Sequence, residues 1–211
     1  MLEIIHREKD FVVVNKPYGW LSEFSAGQPN VPAAIAEALS ISPDQVYTVH
    51  RLDRTTAGLM VYALTKRGAA ELSRSITGGL LKKTYTAYIT ADESLPRSGE
   101  MADFLYFDRR RDKSFVVKGD RPGAKEARLT YELVDRFAYK DKEITVARVC
   151  LLTGRTHQIR VQFGSRRSPL IGDGKYGSRV NFKGASLVST ELDFPWAGKE
   201  LRFSIDANFQ M

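Results

Sequence analysis

The sequence predicts an α+β fold, a mostly antiparallel, mixed sheet with flanking helices. Strand-like segments follow one another along most of the chain, and few segments have helical features. Runs of sequential strands with few helices are typical of this architecture. The chain has 211 residues, 43% of them hydrophobic, which is enough apolar material for a compact core. We therefore expect a single domain over residues 1–211.

The first predicted elements are a strand and a helix. Residues 10–15 are an apolar run that Pro17 and Gly19 terminate, because proline and glycine end strands and set turns. Residues 31–39 are rich in alanine, with Pro32 near the start, where its missing backbone donor costs least. The second segment predicts a helix.

Strand signals dominate the rest of the chain. Residues 58–64 predict a strand, and Thr65 is a suitable N-cap for a helix that extends to about Ser75 and ends at Gly78. The remaining predicted elements are a strand over 80–90, a hairpin over 104–120 with an exposed basic tip, strands over 125–134 and 143–152, a short helix over 156–163, and strands over 186–192 and 201–205.

The charge of the chain favours a polyanionic partner. The formal net charge is +7, and the chain has two clusters of basic residues. One cluster is Arg109-Arg110-Arg111 with Lys113, and the other lies between Leu151 and Ile171, where no acidic residue occurs. The two clusters are either parts of one binding groove or separate solvated loops.

Composition also narrows the location of the protein. No apolar run approaches the roughly 20 residues that span a bilayer, and residues 1–10 alternate charged with apolar side chains, unlike a signal peptide. We therefore expect a cytoplasmic protein without membrane contact. The single cysteine, Cys150, lies in an apolar run and is interpreted as a buried structural thiol.

Several enzyme classes do not fit the residues present. The three histidines, His6, His50 and His157, lack zinc-ligand spacing, so we expect neither a metal nor a cofactor. Residues 172–178 resemble a phosphate loop, but Tyr176 stands where that motif needs serine or threonine. No serine has the surroundings of a hydrolase nucleophile. The remaining chemistry depends on one carboxylate.

That carboxylate is Asp53, in the segment His50-Arg51-Leu52-Asp53-Arg54-Thr55-Thr56-Ala57-Gly58. Arg51 and Arg54 flank it, and guanidiniums favour an ionised carboxylate while offering forked donors to phosphate or base edges. The segment is either a surface turn with a local ion pair or an acidic catalyst surrounded by RNA contacts.

Four segments in order resemble the motifs of the RluA-type pseudouridine synthases. They are Asn15-Lys16-Pro17-Tyr18-Gly19, the Asp53 segment, Lys83-Thr84-Tyr85-Thr86-Ala87 and Thr153-Gly154-Arg155-Thr156-His157-Gln158-Ile159-Arg160. The resemblance implies the fold of these enzymes, with a central active-site cleft. It also implies isomerisation of specific uridines to pseudouridine in ribosomal RNA, transfer RNA or both. RNA is then the expected partner of a monomer that needs no obligate protein partner.

The resemblance implies a role for each matching residue. Asp53 becomes the catalytic carboxylate, and Arg160, the last arginine of the family's third motif, is expected to pair with it. Base flipping exposes the target uridine, Tyr85 stacks on it and is the candidate catalytic proton acceptor at carbon 5, and Arg51 fills the gap left in the RNA. Lys16 and Lys83 either contact the RNA backbone or brace the pocket floor. The other expected RNA contacts are Arg54, Arg155, His157, Arg166 and Arg167.

Two features depart from the family pattern. The motif usually ends Thr-Ser-Gly, but this chain has Ala57 before Gly58, which removes one hydroxyl that is not the nucleophile. The pattern starts by Phe11, so we expect no separate N-terminal RNA-binding domain. The alternative function is a non-catalytic RNA-binding or ribosome-assembly factor on the same fold. An enzyme acting on free nucleosides fits the basic surface poorly.

Overall fold

The computed structural model describes residues 2–207, which divide into two compact units. The first unit contains the chain up to Lys83 together with the chain from Val188, and the second contains Thr84–Leu187. The strands are β1 (Glu3–Arg7), β2 (Phe11–Lys16), β3 (Tyr47–Thr48), β4 (Ala57–Ala63), β5 (Lys82–Ile89), β6 (Ser98–Asp108), β7 (Lys113–Val117), β8 (Lys125–Tyr139), β9 (Lys142–Leu151), β10 (Leu187–Trp196) and β11 (Lys199–Ser204). The helices are α1 (Val31–Leu39), α2 (Lys66–Thr77) and α3 (Gln158–Ser165).

Strands of the first unit pair in the order β1-β2-β4-β10-β11, and β3 also pairs with β4. The pairings are antiparallel except that of β10 with β4, which is parallel. The alternate residues of β2 and β4 that face α2 are fully buried, and Leu72 of α2 packs among them. The loop that carries Asp53 leads into β4, one of the strands of this core.

Strands of the second unit pair in the order β5-β9-β8-β6-β7, and all these pairings are antiparallel. Helix α3 contributes Val161 to a buried cluster with Leu105, Ala127 and Tyr176. The mostly antiparallel, mixed sheet with few helices confirms the predicted fold class. The structure leaves the prediction of a single domain untested.

Local signals explain both helices of the first unit. Helix α1 has the predicted bounds, and the side chain of Asn30 caps it by accepting a hydrogen bond from the backbone N–H of Ala33 (2.9 Å). Thr65 caps α2 in the same way through Gly68 (3.0 Å). None of the helices in residues 2–207 has the length and apolar character needed to cross a membrane.

Candidate active site

Asp53 lies in the loop between β3 and β4 and is half-buried. The backbone N–H of Thr56 donates to the Asp53 carbonyl (3.0 Å), which closes a tight turn directly after the carboxylate. Gly58 then enters β4 at a φ of +110°, and a Cβ there would lie 2.6 Å from the backbone nitrogen of Ser189 on β10. The motif therefore ends in glycine because β10 passes too close for any side chain.

A second loop, residues 17–24, is bonded to the Asp53 loop along its length. Ser22 Oγ donates to the Leu52 carbonyl (2.8 Å) and accepts from the Leu52 N–H (3.1 Å). Gly19 N–H donates to the Arg54 carbonyl (2.9 Å), and Arg54 Nε donates to the Gly19 carbonyl (3.0 Å). These four hydrogen bonds fix the backbone on both sides of Asp53.

Lys16 joins the same two loops from beneath. It is fully buried, and its Nζ donates to the carbonyls of Trp20 (2.9 Å), Pro17 (3.1 Å) and Arg54 (3.5 Å). Burial lowers the pKa of Lys16 to about 8, while the negative charge of Asp53 acts in the opposite direction. Of the two expected roles for Lys16, this geometry favours bracing the floor over contact with an RNA backbone.

His50 is buried at the start of the loop. Its Nε2 accepts the backbone N–H of Val61 (3.2 Å), so a neutral ring carries its proton on Nδ1. Burial and the nearby charge of Lys83 hold the pKa of His50 well below its ordinary value, which keeps the ring neutral at physiological pH. His50 thus has the geometry of a residue that orders the loop.

The two arginines that flank Asp53 contact residues of the 17–24 loop. Arg51 is largely exposed, and its Nη1 lies 2.9 Å from Oε2 of Glu23, which is equally exposed. Arg54 is exposed and bonds to the Gly19 carbonyl. Both guanidiniums therefore retain surface that an RNA phosphate can reach.

Tyr85 and Lys83 lie on β5, two positions apart and on one face, as predicted. Tyr85 is 3% exposed and stands opposite Val149 of β9. Burial lowers the pKa of the Lys83 ammonium. The hydroxyl of Thr84, on the other face, lies 3.7 Å from Cys150 Sγ, and Cys150 is half-buried rather than buried as predicted.

Arg160 is held by Asp173, which sequence analysis did not identify. Its Nε and Nη2 donate to the two carboxylate oxygens of Asp173 (2.6 and 2.9 Å), and both side chains are almost completely buried. The guanidinium carbon also lies 5.1 Å from the centre of the Tyr176 ring. The pairing of Arg160 with Asp53 stays a prediction.

His157 continues this network. Its Nδ1 lies 2.9 Å from the hydroxyl of Tyr176, which also accepts the backbone N–H of Ser114 (2.8 Å). Ser114 Oγ in turn donates to the Thr156 carbonyl (2.6 Å). His157 itself precedes α3 with a left-handed backbone (φ +55°), so the network fixes the start of the helix that carries Arg160.

The remaining predicted RNA contacts lie on the surface of the second unit. Arg155 is exposed, and its Nε donates to the Glu126 carbonyl (2.7 Å). Arg166 pairs with Asp103 (2.9 Å) and Arg167 with Asp92 (3.3 Å). Residues 109–111 form the exposed tip of the β6–β7 hairpin, as predicted.

The sequence contained a signal for Asp173 and Tyr176. Both belong to residues 172–178, which stand out in the sequence only as an imperfect phosphate loop. In the structure this segment supplies the carboxylate and the ring that hold Arg160. No comparable signal marked Ser22.

Comparisons with known proteins agree with these motifs. Residues 10–165 match the sequence profile of a family described as RNA pseudouridylate synthase. The chain is 30% identical to the dual-specificity RNA pseudouridine synthase RluA of Yersinia pestis, over 98% of this chain and 99% of the relative. It is 32% identical to ribosomal large subunit pseudouridine synthase D of Vibrio cholerae, over 90% of this chain but only 58% of that longer protein.

The fold also matches a solved structure. It superimposes on human RNA Pseudouridylate Synthase Domain Containing 1 with a TM-score of 0.81, covering 98% of this chain and 83% of the human one. The sequence identity is 20%, so this comparison shows a shared fold.

Proposed function

Because the chain belongs to the RNA pseudouridylate synthase family, a family of isomerases, we propose that it converts specific uridines of ribosomal RNA, transfer RNA or both to pseudouridine. The observation that carries the proposal is the braced Asp53 loop. Four hydrogen bonds to residues 17–24 and a buried lysine hold a half-buried carboxylate between two exposed arginines. A surface turn would need no such bracing.

The reaction explains why a fixed carboxylate is required. The bond between uracil nitrogen and ribose breaks, the base turns, and carbon 5 bonds to the sugar, while carbon 5 loses a proton and the nitrogen gains one. Asp53 acts as a nucleophile at the sugar or the ring, or as a base at the sugar. All three routes need an ionised carboxylate that the protein holds in a fixed place.

The RNA must present its uridine to that carboxylate. Flipping the base costs a few kcal/mol, which stacking on an aromatic ring and filling the vacated space offset. We assign the stacking to Tyr85 and the filling to Arg51, whose exposed guanidinium must then leave Glu23. The exposed cations Arg54, Arg155 and Arg167, together with the half-buried Arg166, are the proposed contacts to phosphates.

The test is tritium release from bulk transfer and ribosomal RNA labelled at carbon 5 of uracil. The wild-type protein should release tritium, and Asp53→Asn should reduce the rate at least about 1,000-fold, as expected for loss of a central catalytic group. Asp44→Asn, a substitution of an exposed aspartate in the same unit, is the matched control and should react normally.

The binding behaviour of Asp53→Asn completes the test. Its affinity for the same RNA should stay close to that of the wild type, which would show that the fold is intact. Appreciable turnover by Asp53→Asn would contradict the assignment of Asp53. RNA binding by the wild type without any tritium release would instead support the non-catalytic binding factor.

A further inference from the structure

Two aromatic rings near Asp53 are unusually exposed. Phe24 is 57% and Tyr18 is 40% exposed, whereas Phe11, Phe163 and Phe194 are completely buried. The exposed part of an aromatic ring gains nothing from folding, so that surface remains available to a ligand. Neither ring belongs to the buried cluster around Phe11 and Leu72.

The contacts of the 17–24 loop bring its backbone at Tyr18 and Phe24 beside the Asp53 loop. Tyr18 precedes Gly19, which exchanges two hydrogen bonds with Arg54. Phe24 follows Glu23, whose carboxylate lies 2.9 Å from the Arg51 guanidinium. Each exposed ring is therefore next in the chain to a residue that touches an exposed arginine.

Rings interleaved with guanidiniums fit one class of ligand. Bases of single-stranded RNA stack on aromatic side chains whatever their sequence, while arginines meet the phosphates between them. The charge around the rings argues against an apolar protein partner, because Arg51, Arg54 and Glu23 would have to be desolvated. The phosphodiester backbone complements Arg54, and RNA competes with Glu23 for Arg51.

We propose that Phe24 and Tyr18 are stacking platforms for unpaired nucleotides that flank the target uridine. This inference rests on the proposed function and extends it, because it assigns the 17–24 loop to substrate recognition. RNA that lies across this loop would at the same time draw Arg51 from Glu23 into the gap left by the flipped base. The preferred substrate is then a uridine in a loop or bulge rather than in a continuous duplex.

The experiment measures binding of the full-length protein to a single-stranded oligouridine that carries one 2-aminopurine, whose fluorescence falls when it stacks. We expect Phe24→Ala to weaken binding about 5- to 150-fold, the range for loss of one base–aromatic stack, and to reduce the quenching to the part that Tyr18 provides. Phe24→Trp should keep both, and Phe24→Leu should behave like Phe24→Ala although leucine is equally apolar.

The control is Leu80→Ala, which removes a side chain of similar exposure (55%) from the turn before β5. It should bind the oligonucleotide like the wild type. Three outcomes would each overturn the inference. They are equal losses of binding in Leu80→Ala and Phe24→Ala, normal binding and quenching by Phe24→Ala, and no binding by the wild type. Tritium release by the wild type separates this failure from that of the proposed function, because the enzyme can turn over RNA without using Phe24.

Discussion

Asp173→Asn is the most informative substitution in the second unit. The carboxylate of Asp173 accepts two hydrogen bonds from Arg160, at 2.6 and 2.9 Å, with 1% of its own side chain and 7% of the arginine exposed. Asparagine has the same shape, but its NH₂ group cannot accept a hydrogen bond, so Arg160 loses one of its two hydrogen bonds. The other is then made to a neutral amide oxygen instead of a carboxylate. Removing one member of a buried ion pair typically costs about 3–5 kcal/mol of stability. Because Asp173→Asn keeps one hydrogen bond, we expect the free energy of unfolding to fall by about 3 kcal/mol, the lower end of that range.

Urea denaturation tests this magnitude. With a slope of about 3 kcal/mol per molar urea, a loss of about 3 kcal/mol lowers the unfolding midpoint by about 1 M without changing the slope. Asp193→Asn is the matched control, since Asp193 pairs with Arg202 on the surface, where such pairs contribute about 0–1 kcal/mol. If both substitutions lower the midpoint equally, the argument from burial is wrong.

Activity gives a second, independent reading of Asp173→Asn. A guanidinium displaced by about 1 Å can reduce a catalytic rate about 100-fold. Under conditions where the variant is fully folded, we expect tritium release to fall by about 10- to 100-fold. A folded Asp173→Asn with normal turnover would show that Arg160 needs no positioning by Asp173.

Three further predictions concern the first unit. Burial lowers the pKa of Lys16 from 10.5 to about 8, so the unfolded chain binds more protons between these values and stability rises with pH. In urea titrations, the wild type's free energy of unfolding minus that of Lys16→Met should therefore increase by about 2 kcal/mol from pH 7 to pH 10. A difference that stays constant over this range would refute the lowered pKa of Lys16. Glu23→Gln should tighten RNA binding in low-salt titrations several-fold, because it frees Arg51 and removes a charge that repels phosphate; unchanged affinity would show that Arg51 does not meet RNA. Gly58→Ala should destabilise the fold by about 3 kcal/mol or more in thermal unfolding, because a Cβ would clash with the backbone of Ser189; a near-neutral effect would contradict that close approach.

The sequence predicted the order of elements well where local signals determine them. Helix α1 has the predicted bounds, and α2 begins after its predicted cap, Thr65, because capping and the early proline act within one turn. Strand β8 extends to Tyr139, beyond the predicted end at Val134, because a shift in register between Leu133 and Asp135 and the exposed pair Asp135-Arg136 interrupt the alternation that marks a strand. Strand β1 was not predicted, because its charged residues hide the alternation of a half-exposed edge strand.

The contacts that hold the site depend on distant segments, and this limits what the sequence could predict. Lys16 is buried because three carbonyls from the 17–20 turn and the Asp53 loop surround its ammonium, and nothing in Asn15-Lys16-Pro17 distinguishes it from an exposed lysine. Asp173 follows Arg160 by a full loop, so their pairing emerges only when α3 packs against that loop. Sequence motifs thus identified the groups that are proposed to do the chemistry, but not Ser22 and Asp173, which hold the Asp53 loop and Arg160 in place.

The arginines beside Asp53 illustrate why adjacency is a poor guide to charge pairing. In a tight turn consecutive side chains diverge, and here Arg51 turns to Glu23 while Arg54 turns to the Gly19 carbonyl. Lys16, remote in sequence, is instead the buried cation whose protonation the charge of Asp53 favours. A cation far away in sequence thus interacts with Asp53, while the two neighbouring arginines contact Glu23 and the Gly19 carbonyl.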